Sequence, residues 1–184
     1  SSRPHPQAIE VASPVFGDGQ APVEVVLFED FKCYGCHTFA ETVLPRIEAE
    51  YLAPQRIRLK LIPLGFLQGS KMLANAALEV YQLAPERFFS YAKLLFKRFE
   101  DVEVDEYTPR VLLDLAREVG GIDLNKLQLC IEQKCHYSEV ERNLDQARAL
   151  MGKKFRIPAL YINGVRVNTT DYEAIRQQIE KAQP

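Results

Sequence analysis

The chain has 184 residues, 47% of them hydrophobic, and a formal net charge of −2. That size suits one domain of ordinary dimensions, with an apolar core large enough to stand without staples. The balanced charge excludes the broad basic field of a nucleic-acid or acidic-membrane binder, and no apolar run is long enough to span a bilayer.

The opening residues Ser1-Ser2-Arg3-Pro4-His5-Pro6 are polar and proline-rich, so 1–13 is expected to be a flexible lead-in, and the first residues to be a mature terminus left after signal removal or a cloning remnant. Pro14-Val15-Phe16 is a short apolar touch before a turn-rich stretch. Val23-Glu24-Val25-Val26-Leu27-Phe28 then reads as a buried strand running to about Glu29. Cys33-Tyr34-Gly35-Cys36 follows at once and opens a helical pattern carrying Phe39, Val43, Ile47 and Tyr51. A cysteine at a strand-to-helix junction sits among unpaired N–H groups and at the positive end of the helix dipole, which favours its thiolate. Thiol–disulfide exchange is therefore the leading reading. With His37 the same letters also fit C-x-x-C-H haem attachment, in which Met72, Met151 or a distant histidine would have to supply the second axial ligand. Half of a zinc site, or two small apolar packers, are further readings.

Pro45 falls within the helical pattern and is expected to kink it. Arg56 to Ile62 alternates charged residues with Ile57, Leu59 and Leu61, predicting a strand with one buried face and completing a βαβ unit. From 68 to 151 the pattern is helical. Leu73, Ala76, Ala77 and Val80 share one face, and Phe88, Ala92, Leu95 and Phe99 form another stripe. Thr108-Pro109 starts a helix that Gly120-Gly121 stops, and Ser138 with Glu141 reads as a capping box for the last helix of the block. Strand language then returns. Ile157-Pro158-Ala159-Leu160-Tyr161-Ile162, the turn Asn163-Gly164 and Val165-Arg166-Val167 predict a hairpin, and Thr170 with Glu173 boxes a terminal helix.

This order resembles the DsbA-like branch of the thioredoxin superfamily. The residues that carry the resemblance are Phe28-Glu29-Asp30-Phe31-Lys32-Cys33-Tyr34-Gly35-Cys36, Ile62-Pro63-Leu64, and Ile157 through Gly164. It spans about Pro14 to Gln183. It implies an α/β fold: a thioredoxin-like domain of 14–67 and 152–184, with a helical insertion at 68–151 between its βαβ and ββα halves. It further implies that Pro158 is cis and lies against the active-site sulfurs, while Ile157 presents its backbone to an extended substrate. Family members often carry a buried acid six positions before the first cysteine, where this chain has Leu27. Glu29 is either the substitute or a solvated strand end.

On this reading Cys33 is the nucleophile and Cys36 the resolving partner. Ile157, Pro158 and Tyr34 contact substrate, while His37, Lys32 and Glu29 modulate the pair. The resemblance implies a monomeric thiol:disulfide oxidoreductase outside the cytoplasm, in the periplasm or cell envelope. It would donate disulfides to client proteins with cysteine thiols and be recharged by a membrane quinone-linked oxidase, with no metal or cofactor and no nucleic acid. Tyr34-Gly35 differs from the Pro-His of the best-known oxidases, so a reductase or isomerase, or a peptide-binding module without turnover, stays open. Cys130 and Cys135 cannot bridge on one continuous helix, where i and i+5 point about 140° apart. A turn between them would allow a structural disulfide, the preferred expectation. Thiols, a second redox relay and a zinc site shared with His136 are the alternatives.

Overall fold

A computed structural model describes Ile9 and residues 14–101 and 107–184; apart from Ile9, the expected lead-in at 1–13 lies outside them. Five strands form one sheet: β1 (Val15–Gly17), β2 (Val23–Glu29), β3 (Ile57–Pro63), β4 (Ala159–Ile162) and β5 (Val165–Val167), in the order β1-β3-β2-β4-β5. β1 runs antiparallel to β3, β4 antiparallel to β2, and β5 antiparallel to β4. The register sets Phe28 opposite Ala159 and Val25 opposite Ile162. β2 is buried along almost its whole length, which explains its unbroken apolar run, whereas β3 alternates at first and so keeps one face less covered. At the hairpin tip Asn163 and Gly164 have φ of 46° and 78°, the left-handed pair that a two-residue turn requires.

Eight helices complete the described chain: α1 (Tyr34–Thr42), α2 (Leu44–Ile47), α3 (Lys71–Leu83), α4 (Phe88–Asp101), α5 (Pro109–Val119), α6 (Leu124–Gln133), α7 (Tyr137–Met151) and α8 (Tyr172–Ala182). Among the described residues no helix is long and apolar enough to cross a membrane. The kink expected at Pro45 is a break. α1 ends at Thr42, and Pro45 sits in the first turn of α2, where its missing N–H leaves no gap, before a wide turn at Glu48–Leu52.

Two compact units divide the chain. One comprises the stretch up to Glu29, Tyr34–Ile62 and Gln146–Pro184; the other comprises Asp30–Cys33 and Pro63–Asp145. The first holds the sheet, with Phe28 and Tyr161 meeting edge to face at 5.9 Å. The second is helical, and the sequence faces named for it are its core. Leu73, Ala76, Ala77 and Val80 are fully buried, and Phe31 packs on Phe96 with ring centroids 5.0 Å apart.

Caps were read less well than faces. Thr108 does cap α5, its side chain accepting from Val111 N–H. The box at Ser138 is not a cap, however: α7 already begins at Tyr137, and Glu141 pairs with Lys71. The start of α7 is tied instead from another helix, the Asn75 side chain accepting the His136 N–H at 2.8 Å. At α8 the cap is Asp171, which accepts from Ala174 N–H, and Thr170 turns to Asn168. A carboxylate one residue nearer the helix wins over a hydroxyl because it accepts the same bond with a full negative charge at the positive end of the dipole.

Candidate active site

β2 ends at Glu29 and α1 begins at Tyr34, so four residues make the junction on which the cysteines sit. Its geometry is set by Asp30. The Asp30 carbonyl accepts the Cys33 N–H at 3.1 Å, closing a turn immediately before the helix. The Asp30 carboxylate is fully buried. One oxygen accepts from Lys32 N–H at 3.0 Å, and the other accepts from Phe66 N–H and Leu67 N–H at 3.0 Å and from the Ser70 hydroxyl at 2.8 Å. Burial pushes its carboxyl pKa above the usual value, and these hydrogen bonds pull the other way. Asp30 escaped the sequence reading, which looked further upstream for an acid. An Asp whose side chain meets the N–H two residues on is a turn former, and that was its visible signal.

Cys33 lies one residue before α1 and is partly exposed, whereas Cys36, inside the first turn, is 1% exposed. Tyr34 between them is 67% exposed. His37 is buried, with its Nε2 3.4 Å from a carboxylate oxygen of Glu41 one turn on. Glu29 is 2% exposed, so it is no solvated strand end. The Lys32 ammonium donates to the Gln68 carbonyl at 3.2 Å and lies 5.6 Å from the centre of the Tyr107 ring. Gly69 (φ 80°) makes room for it, since a Cβ there would stand 2.6 Å from the Lys32 nitrogen.

Within the sheet unit, Gly35 of the C-x-x-C lines the same cavity as Ile157 and Pro158, a hollow of about 640 Å³. The Ile157–Pro158 peptide is cis. Phe39, Arg156 and Arg166 also line it, and no carboxylate does among the described residues. Arg166 is held by the Lys154 and Arg156 carbonyls at 2.8 and 3.2 Å, which fixes the loop entering β4. A hollow of this size, lined by Gly35 of the C-x-x-C and by the backbone leading into β4, can take an extended peptide.

The other cysteines form a disulfide between Cys130 and Cys135, with Cα atoms 5.0 Å apart. Lys134, left-handed at φ 54°, ends α6 and supplies the turn that brings the two residues together.

The family model described as Thioredoxin matches residues 10–181. Disulfide bond formation protein D of Bacillus subtilis (strain 168) is 31% identical over 173 residues, covering 91% of this chain and 76% of that protein. Oxidised BdbD from Bacillus subtilis superposes with a TM-score of 0.83 at 30% identity, covering 92% of each chain. DsbA from Chlamydia trachomatis does so with a TM-score of 0.84 at 23% identity, covering 98% of this chain and 96% of that one, and speaks for the fold alone.

Proposed function

The chain belongs to the thioredoxin family and, within it, to the DsbA-like thiol:disulfide oxidoreductases, and from that premise we propose that Cys33 and Cys36 donate disulfides to client proteins outside the cytoplasm. The observation that carries this reading is the asymmetry of the pair: one sulfur partly exposed ahead of a helix, the other buried in its first turn.

In the oxidised enzyme the two sulfurs share a bond. A client thiolate attacks Cys33 Sγ, the Cys33–Cys36 bond breaks, and Cys36 leaves as a thiolate and takes up a proton. A second client thiolate then attacks the client sulfur of the mixed disulfide and expels Cys33, which the helix start stabilises as a thiolate. Two electrons pass from client to enzyme, leaving the dithiol form. Recharging falls to a membrane quinone-linked oxidase, which removes the same two electrons. Ile157 pairs its backbone with the client segment beside Pro158, and Tyr34 offers an exposed ring. Glu29 and His37, buried on either side of the pair in sequence, tune proton transfer. Lys32 acts on the junction through its hold on Gln68. The working unit is a monomer.

Equilibration with glutathione, followed by counting of the Cys33 and Cys36 thiols, tests the direction. A potential nearer the about −120 mV of strong oxidases than the about −270 mV of thioredoxin supports donation. A value at or below the latter would make the protein a reductase. Cys33→Ser is expected to abolish oxidation of a dithiol peptide; undiminished function in that variant would reduce the role to peptide binding.

A further inference from the structure

The second cysteine pair stands in unusual company. Asn75 and Glu79 lie one turn apart on α3, and both face the turn that joins α6 to α7. Glu79 Oε1 is 3.3 Å from His136 Nε2, and Glu79 Oε2 is 4.0 Å from Cys135 Sγ. One ligand atom each from Glu79, Cys130, Cys135 and His136 can be chosen so that all lie within 4.8 Å of one another. We infer that reduction of the Cys130–Cys135 disulfide converts this corner of the helical unit into a zinc site, with those four side chains as its ligands.

Two thiolates, one imidazole and one carboxylate are a complete tetrahedral set for Zn²⁺. Zn–S bonds of about 2.3 Å and Zn–N or Zn–O bonds of about 2.0–2.2 Å put neighbouring ligand atoms roughly 3.3–3.8 Å apart. The nitrogen and oxygen already meet that spacing, and the carboxylate and Cys135 sulfur are within a few tenths of an ångström of it. The carboxylate turns so that one oxygen serves both neighbours, the sulfurs part as reduction allows, and the remaining spacings, all within 4.8 Å, close by about an ångström at most. The surroundings suit a metal as well. The His136 backbone is held by Asn75, and its Nδ1 lies 3.6 Å from a Glu139 carboxylate oxygen, the outer partner that orients a metal-binding imidazole. The Asn75 amide nitrogen is 3.7 Å from Cys130 Sγ, placed to donate to a thiolate. Lys134, the nearest cation in sequence, directs its ammonium over the Tyr137 ring. The soft sulfur pair selects zinc over calcium or magnesium.

The chemistry balances without the Cys33–Cys36 pair. A small dithiol or a phosphine supplies two electrons, and with two protons the disulfide becomes two thiols. Zn²⁺ then displaces both thiol protons, with no further electron transfer. Disulfide and metal are mutually exclusive, so bound zinc holds the pair reduced.

The test uses the full chain carrying Cys33→Ser and Cys36→Ser, so that Cys130 and Cys135 are its only thiols. After reduction with a phosphine under anaerobic conditions, Co²⁺ is titrated in and then displaced by Zn²⁺. One cobalt per chain with thiolate-to-cobalt absorption is expected, and none in the unreduced protein. His136→Ala and Glu79→Gln should each weaken binding by at least about tenfold. If the reduced chain loses helical circular dichroism, one equivalent of zinc should restore it. Absence of the thiolate–cobalt band, an unchanged affinity in both variants, or reduced chain that one equivalent fails to refold would each overturn the site.

Discussion

Asp30 shows how much one buried carboxylate can organise at the residue scale. It ties the junction before Cys33 to the chain at Phe66–Ser70 through three hydrogen bonds and accepts a fourth from Lys32 N–H inside the junction, all within the helical unit. Asp30→Ala takes the acceptor from three backbone N–H groups, while the Ser70 hydroxyl keeps the Leu67 carbonyl at 2.7 Å. A loss on the order of 3 kcal/mol is expected in denaturant unfolding, since each buried unsatisfied group costs about 1–3 kcal/mol and the loop relaxes in part. The pH dependence has a definite sign. Because its folded pKa is raised, the native state binds the proton more tightly than the unfolded chain does. The associated stability is present below the ordinary carboxyl pKa of 3.8 and is lost as pH rises through the folded value. The stability of the wild type relative to Asp30→Asn should therefore fall across that acidic window; a flat difference would show that burial does not dominate. Cys33 and Cys36 stand out in the sequence through a local four-residue pattern, whereas Ile157 and Pro158 are expected at the site only from the family resemblance. Sequence alone could not rank Glu29 against Asp30, since burial at a strand end is decided by what packs over it.

At the scale of elements, period was easier to read than punctuation. Helix and strand faces follow from side-chain spacing, whereas a cap is a competition between neighbours settled by backbone geometry. The reassigned start of α8 makes this measurable. Asp171→Ala should cost about 1 kcal/mol, as losses of N-caps typically do, while Thr170→Ala, at a turn outside the helix, should cost clearly less. Equal costs would restore the hydroxyl as the cap. The break between α1 and α2 yields a second outcome. A proline inside a helix costs about 3 kcal/mol, so Pro45→Ala would stabilise a continuous helix by that order. Placed in a first turn, the same change should move stability by less than about 1 kcal/mol. β1 went unread as a strand because three residues carry no period of their own; only its pairing with β3 makes it one.

Across the whole molecule, the order of elements was legible from the return of strand patterning after a long helical block. The sheet order β1-β3-β2-β4-β5 needed the tertiary pairing. The helical unit has a covalent staple, closed over a sequence separation of 5. Loop-closure entropy for so small a ring amounts to about 2 kcal/mol. Replacing Cys130 and Cys135 together by Ala should lower global stability by about that much, read as a fall in denaturant midpoint at unchanged slope. A larger loss would mean that the pair also fixes the turn that Asn75 holds.

The hairpin asparagine reaches back to the first half of the chain, for the Glu24 N–H donates to the Asn163 side chain across 139 residues. β2, apolar along nearly all its length, thus has to wait for the last strands to emerge before one of its edges is paired. During synthesis it is an open template for other chains, and contacts this distant close slowly. A thiol:disulfide oxidoreductase of this topology is itself a slow and exposed folder, and its yield should depend on holding chaperones until residue 162 is free.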